Sequence, residues 1–303
     1  MNVCVLMSTY NGEKYIRKQL DSILTQDADC DIKIQVRDDC SKDSTISILK
    51  EYSADNNIVI ENENGINLGP ARSFYWLINN ALDADYYAFC DQDDLWVQGK
   101  LSKAIESIKE FDSEPVLWIS NYNNIDPEDK IIESNMLESP VDDQYRALFY
   151  NNVPGCCMIF NRQLLERMQH LKLDNLRMHD ILALNVCLLT GKVIFEKEPY
   201  LLYRQHDNNA IGYYSKKISP VKWIKDKTKI LSKGESYFIS EYAQSMLDDM
   251  KEYLSEDDQR EYALIANYKH GLNRMNLLRK PYTKAKFSRN SLSIRLRIFL
   301  GVI

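Results

Sequence analysis

Tyr86-Tyr87-Ala88-Phe89-Cys90-Asp91-Gln92-Asp93-Asp94 runs five apolar residues straight into three acids within four positions. Such a run predicts a buried strand whose carboxyl end leaves the sheet as an acidic turn. The pattern recurs upstream. Residues 3–7 run into Ser8-Thr9-Tyr10-Asn11-Gly12, and residues 32–37 run into Asp38-Asp39-Cys40-Ser41-Lys42-Asp43. Residues 58–61 read as a fourth strand. Between the strands, residues 14–24, 44–52 and 71–82 carry apolar side chains at helical spacing. The second stretch opens after Asp43, a good N-cap, and the third follows Gly69 with Pro70 at its first helical position. The alternation predicts βαβ units and a largely parallel sheet with helices on both faces. Such sheets bind ligands at the carboxyl ends of their strands, where three of the four strands here deliver polar or acidic clusters.

Past residue 100 the pattern loosens. Residues 101–111 read as a helix and 116–120 as a strand followed by a polar loop. Pro154-Gly155 precedes a strand at 156–160, 180–189 is helical, and 193–195 and 200–204 are short strands. These complete one domain, 1–215, with a first half to about residue 100 and a second half at 101–215. Residues 216–303 form a helical extension.

The chain has 303 residues, 45% hydrophobic and 27% charged, with a formal net charge of −6. That composition excludes wholesale disorder and argues against a nucleic-acid-binding surface. The charge is uneven: residues 216–303 hold 18 basic and 10 acidic residues, and residues 1–215 hold 20 and 34. Seven scattered cysteines without a CxxC pair support neither a zinc ribbon nor a disulfide framework and suggest a reducing compartment. The N-terminal apolar run is too short for a signal peptide, and no run approaches a membrane span, so a cytoplasmic protein is expected.

Two carboxylates at i and i+2 leaving a strand can converge on one hard cation such as Mg²⁺ or Mn²⁺; a solvated acidic turn, or a helix N-cap before a helix at Val97, is the competing explanation of Asp91, Asp93 and Asp94. Asp38 and Asp39 can accept hydrogen bonds from a ribose or a base, and two adjacent charges need something to offset them. Arg72 in a helical first turn hints at an anionic ligand. Asp180 can act as a general base or merely cap a helix, and His206 can ligate a metal or contact phosphate.

Taken together, the ordered motifs resemble the inverting family-2 glycosyltransferases with the GT-A fold, particularly rhamnosyltransferase-like bacterial members. The resemblance runs from Ser8-Thr9-Tyr10-Asn11-Gly12 through Asp38-Asp39, Asn67-Leu68-Gly69, Asp91-Gln92-Asp93-Asp94-Leu95-Trp96, Pro154-Gly155-Cys156 and His179-Asp180 to Tyr203-Arg204-Gln205-His206. It implies an α/β fold, a Rossmann-like mixed central sheet with flanking helices, plus the C-terminal helical extension. It also implies roles. Thr9, Tyr10, Asn11, Asp38, Asp39, Asn67, Gly69, Arg72, Asp91, Gln92 and Trp96 would hold a dTDP- or UDP-linked sugar, with dTDP-L-rhamnose favoured. Asp91, Asp93 and His206 would bind Mn²⁺ or Mg²⁺. Asp180 would be the base, and Gly155, Cys156 and His179 would meet a saccharide or lipid-linked acceptor. Ile181 stands where relatives often carry Trp, and no Gln-x-x-Arg-Trp of processive members is present.

Two other readings remain: a haloacid-dehalogenase-type phosphohydrolase built on Asp91 and Asp93, and a catalytically silent binding protein of the same fold. In the extension, residues 271–303 carry eight basic residues and no acid, beside apolar Leu292, Ile294, Leu296, Ile298, Phe299 and Leu300. With the basic stretch around Trp223, this composition fits an anionic membrane surface, a partner protein or a solvated helix.

Overall fold

The computed structural model describes residues 1–54, 57–61, 65–173, 178–206, 238–283, 294–295 and 297–299. The boundary expected near residue 215, the stretch around Trp223, and Lys284, Lys286, Arg289, Leu292, Leu296 and Leu300 lie outside the described residues.

The first half forms as its periodicity predicts. Strands β1 (Asn2–Thr9), β2 (Asp31–Asp38), β3 (Ile58–Glu61) and β4 (Tyr86–Asp91) pair in parallel in the order β3-β2-β1-β4. Helices α1 (Ile16–Leu24), α2 (Thr45–Ser53) and α3 (Pro70–Asn79) make the crossovers. Gly69 adopts φ +76 as the residue before α3, a left-handed conformation that glycine tolerates, and Pro70 takes the first helical position. Asp43 lies one residue before the N-cap, Ser44, and accepts from the Thr45 N–H at 3.0 Å. The register puts Thr9 beside Asp38 and Ser8 beside Asp91, so three strand ends open on one edge.

The second half departs from expectation in three places. The strand expected at 116–120 continues as β6 (Val116–Ile125) through the stretch read as a polar loop. Asn121 explains the extension, because its amide bonds both the N–H and the carbonyl of Leu137 at 2.8 and 2.9 Å. Residues Gly155–Cys157 form a 3₁₀ turn, which delays β8 to Met158–Asn161. The two short strands near 193 and 200 are one, β9 (Lys192–Arg204), parallel to β6, with register shifts around Ser120–Tyr122. Strands β5 (Leu95–Trp96) and β7 (Ile131–Glu133) pair antiparallel with β9 and β6. β8 runs antiparallel between β4 and β6. The sheet is therefore mixed, in the order β3-β2-β1-β4-β8-β6-β9-β5, with β7 off the path.

Helices α4 (Lys100–Ile108), α5 (Gln144–Phe149), α6 (Arg162–His170) and α7 (His179–Thr190) flank the sheet. After residue 237 come α8 (Phe238–Asp249), α9 (Glu256–Ala266) and α10 (Asn273–Arg279). A Ser255–Asp258 capping box starts α9. Asp258 also accepts from Gln144 and Tyr145, and Tyr145 packs on Tyr262 and Tyr282. The C-terminal helices thus share one core with the front of the chain. Among the described residues no helix is long and apolar enough to cross a membrane.

Candidate active site

The loops after β1 and β2 are stitched to each other before they meet any ligand. Asp38 is the hub: it accepts from the Thr9 hydroxyl at 2.9 Å and from the Ser41 hydroxyl and N–H at 2.6 and 2.8 Å. Asp38 is 1% exposed and is not among the residues lining the cleft, and its contacts tie the two loops together. Asn11, at φ +48, receives the Lys42 N–H at 2.8 Å. Asp39 is offset by the buried Arg37 guanidinium and also takes the N–H groups of Leu68 and Gly69, both at 2.7 Å. Arg37 is the counter-charge that the adjacent acids required, and the sequence signal for it is a basic residue ending an apolar strand. Asn67 donates to the Asp39 carbonyl at 2.7 Å. Arg72 is exposed on α3 and does not line the cleft.

The acidic turn after β4 is held from several sides. Gln92 brackets Tyr10, accepting its N–H at 2.8 Å and donating to its carbonyl at 2.9 Å. His206 Nε2 meets Asp93 Oδ2 at 2.7 Å, and the His206 ring stacks on Tyr15 with centroids 5.3 Å apart. Arg204, the last residue of β9, donates from Nε to the Asp93 carbonyl at 2.7 Å and pairs with Asp129. Its guanidinium also lies 4.5 Å over the Tyr15 ring, and its backbone N–H serves Asp94 at 2.9 Å. No helix begins at Asp93 or Asp94: β5 follows them, and α4 starts only after Gly99 at φ +82. The helix-start explanation of these acids therefore falls.

Burial first, then the Asp93 charge, pushes Asp91 up to about 7. Burial, Asp93 and Asp91 push Asp94 well above the usual carboxylate range. One Asp94 oxygen has no hydrogen-bond partner among the described residues. Mutually repelling carboxylates with an orphaned oxygen are the donor set that a hard divalent cation relieves, so Asp91 and Asp93 fit Mg²⁺ or Mn²⁺. Asp93 pairs with His206, whereas Asp91 gathers with Asp94 and Cys156, whose ligand atoms lie within 4.8 Å of one another. The Cys156 thiol, raised well above its ordinary value by burial, is a poor partner for a hard cation.

Trp96 lies two residues beyond the acidic turn. Its side chain is buried in β5 beneath the Lys100 ammonium, 4.3 Å over the ring, so it supports the turn and does not line the cleft. Lys100 is itself buried and donates to the Cys156 carbonyl at 2.6 Å, bracing the 3₁₀ turn against the acidic one. Cys156 stands behind that turn, outside the cleft lining. Nothing in the local sequence assigned roles to Lys100 or Arg204, because each acts through backbone carbonyls of distant segments.

A cleft of about 460 Å³ collects Thr9, Tyr10, Asp39, Asn67, Gly69, Asp91, Gln92, Asp93, Gly155, His179 and Asp180. Phe74, Met178 and Tyr203 add apolar walls that the sequence did not single out. A neighbouring cavity of about 820 Å³ shares Tyr10, Gln92 and Asp93 and takes in Asn11, Lys14, Tyr15 and His206. Asp180 sits in the first turn of α7, after the N-cap Met178, and accepts from the Ile181 N–H at 2.7 Å. One edge thus holds loops shaped for a polar ligand, an acidic turn and a separate carboxylate.

Comparison with known proteins agrees with this geometry. The chain is 29% identical over 218 residues to dTDP-rhamnosyl transferase RfbG of Shigella flexneri, covering 68% of this chain and 73% of that protein. It is 30% identical over 118 residues to poly(ribitol-phosphate) beta-N-acetylglucosaminyltransferase TarS of Staphylococcus aureus, which is 39% of this chain and 20% of TarS. The crystal structure of TarS 1–349 with UDP-GlcNAc superposes with a TM-score of 0.60 at 15% identity, covering 98% of this chain and 79% of that one. The mannosyltransferase PcManGT of Pyrobaculum calidifontis, solved with GDP-Man and Mn²⁺, gives 0.51 at 16% identity over 98% and 84%. These likenesses establish the GT-A architecture. Residues 4–169 match the family model described as glycosyl transferase family 2, a span that contains the β1 loop, the Asp38-Asp39 loop and the acidic turn. Motif order, sheet topology and that match set aside the phosphohydrolase reading, and the chain belongs to glycosyl transferase family 2.

Proposed function

We propose that this nucleotide-sugar transferase moves L-rhamnose from dTDP-L-rhamnose to a saccharide or lipid-linked acceptor, one sugar per encounter, with inversion, in surface-polysaccharide synthesis. The observation that carries the mechanism is the meeting of Asp91, Asp93 and Asp180 in one cleft with Thr9, Asp39 and Asn67. The rhamnosyl donor is favoured by the match to the Shigella transferase over two thirds of this chain.

Thr9, Tyr10, Asp39, Asn67 and Gly69 hold the nucleoside end of the donor. Asp180 takes the proton of the acceptor hydroxyl. The acceptor oxygen then bonds the anomeric carbon from the face opposite the diphosphate, and the carbon–oxygen bond to the diphosphate breaks, its electron pair leaving with the nucleotide. Asp93 and Asp91, with His206 beside Asp93, would hold Mn²⁺ or Mg²⁺, which when bound neutralises the charge of the departing diphosphate. One base and one displacement suffice, so no covalent sugar–enzyme intermediate is required. Thermal-shift measurements with dTDP-L-rhamnose, UDP-GlcNAc and GDP-mannose, each with and without Mn²⁺, test the reading. Metal-dependent stabilisation by dTDP-L-rhamnose alone is expected; preference for another donor overturns the rhamnosyl assignment.

Residues 1–215 are proposed as the transferase domain and 216–303 as its extension, working at the inner face of the cell membrane. After Glu261 the sequence contains no acid. Leu272, Met275 and Phe299 are exposed large apolar residues there, and Arg274 donates to the Phe299 carbonyl at 3.3 Å, joining α10 to the terminal segment. Basic and apolar surface together favour anionic lipid. The full chain should float with phosphatidylglycerol vesicles and not with phosphatidylcholine vesicles; equal flotation removes the membrane role.

A further inference from the structure

One buried guanidinium ties together three segments that face the nucleoside end of the cleft. Arg37 is the next-to-last residue of β2 and is 2% exposed. From one terminal nitrogen it donates to the Asp39 carboxylate and, at 3.2 Å, to the Ser73 hydroxyl of α3. From the other it donates to the Ile66 carbonyl at 3.0 Å, which anchors the segment leading into α3. Two relays extend this span. Ser8 in β1 donates to the Ser73 hydroxyl at 2.7 Å, and Asp39 passes the hold on to the Leu68 and Gly69 N–H groups. Ser8, Asp39, Asn67 and Gly69 line the cleft, whereas Arg37 and Ser73 stand behind it.

We propose that Arg37 is a positioning residue for the nucleotide: by spanning Asp39, Ser73 and Ile66 it holds the donor cleft in its binding shape before the ligand arrives. The inference rests on the cleft being the nucleotide-sugar site. A buried ion pair costs desolvation, and apolar residues of similar volume often replace such a pair without loss of stability. Here the carboxylate half of the pair lines the cleft. A counter-charge alone needs only the contact with Asp39. The guanidinium does more, because its planar fork reaches a carboxylate, a hydroxyl and a carbonyl at once, which an ammonium on a flexible stem does not. Segments fixed in advance spare the nucleotide the entropy of ordering them, so the hold shows as affinity. Arg37 is outside the cleft lining, and its effect passes through Asp39, Ser8 and the 66–69 segment.

Arg37→Lys and Ser73→Ala are made in the full-length protein and compared with wild type by calorimetric titration. The ligands are dTDP and UDP with Mn²⁺ present, and each protein is held well below its unfolding temperature. Lysine keeps a charge opposite Asp39 and gives up the span. The folded variant should bind the nucleotide that wild type prefers about tenfold more weakly. Ser73→Ala leaves the ion pair whole and cuts the link to Ser8, which should cost about three- to fivefold. A merely structural role would read differently: loss of folded protein lowers the number of sites and leaves the affinity of the remaining sites as it was. Arg37→Lys decides where it folds. Affinity within twofold of wild type, whether or not sites are lost, then overturns the inference and leaves Arg37 as a counter-charge. If Arg37→Lys does not fold, Ser73→Ala decides by the same twofold limit. If wild type binds neither dTDP nor UDP, the nucleotide reading of the cleft itself fails and this inference fails with it.

Discussion

His206 Nε2 stands 2.7 Å from Asp93 Oδ2, although 113 residues separate them in the chain. The contact joins the acidic turn after β4 to the residues just past β9, and the Tyr15 ring and the Arg204 guanidinium stack beneath it. His206→Ala should weaken Mn²⁺-dependent stabilisation by the donor nucleotide and slow transfer by about 10–100-fold, the range for a group that supports or shares a metal site. Asp93→Asn should cost more, since it removes a carboxylate charge that the proposed metal site needs. Calorimetric titration of Mn²⁺ with dTDP present checks both; unchanged metal affinity in both variants sinks the assignment.

Asp180→Asn keeps the size and the Ile181 contact of the side chain but removes its capacity to take a proton. Donor-induced stabilisation should survive while transfer falls by about 10²–10⁴-fold. A variant that transfers at near wild-type rate would show that another group is the base.

Gly12→Ala should weaken donor binding through the loop it disturbs. A Cβ at Gly12 would overlap the amide of Gln92, the end of a flexible side chain, so the fold can yield there. Yielding breaks the two hydrogen bonds between Gln92 and the Tyr10 backbone. At about 1 kcal/mol each, their loss predicts a destabilisation of about 2 kcal/mol, and donor affinity reduced about tenfold or more because Tyr10 is no longer held in place. Equal donor affinity would show that the bracket is not needed.

Arg204→Met should destabilise by about 2–3 kcal/mol, less than the 3–5 typical of breaking a fully buried pair, because Asp129 keeps its contact with Lys18. Arg204→Lys should not restore the loss, since a point charge cannot reach the Asp93 carbonyl and Asp129 in the geometry of a planar fork. Urea unfolding of the three proteins decides; full rescue by lysine would reduce the role of Arg204 to charge alone.

The front of the molecule was legible because its strands are apolar and its turns are punctuated by Gly69, Pro70 and Asp43. The back was not, because its strands are polar in the middle. Asn121 to Asn124 read as loop residues, yet Asn121 is occupied by the backbone of Leu137 and Asn123 by that of Asn135. Glu196-Lys197-Glu198 split β9 on paper, whereas the parallel partner β6 carries it across a bulge. Asp39, Asp91, Asp93 and Asp180, which line one cleft, stand out in the sequence as acids at strand and helix ends. Trp96, Asp38 and Cys156, named with their motif neighbours, are buried outside the lining of that cleft. Lys100 went unnoticed, and Arg204 was quoted with its motif but given no role, because a buried cation gripping a carbonyl leaves no periodic trace.

The Tyr145–Tyr262–Tyr282 seam has a practical side. α7, which carries His179 and Asp180, leans on α5, and α5 is covered by aromatic rings contributed from beyond residue 237. A fragment ending at the proposed boundary would strip the Tyr262 and Tyr282 rings from Tyr145, and the Tyr282 ring from Phe149, on the helix that α7 leans on. Expression trials with shortened chains would therefore lose material to aggregation before they lost chemistry.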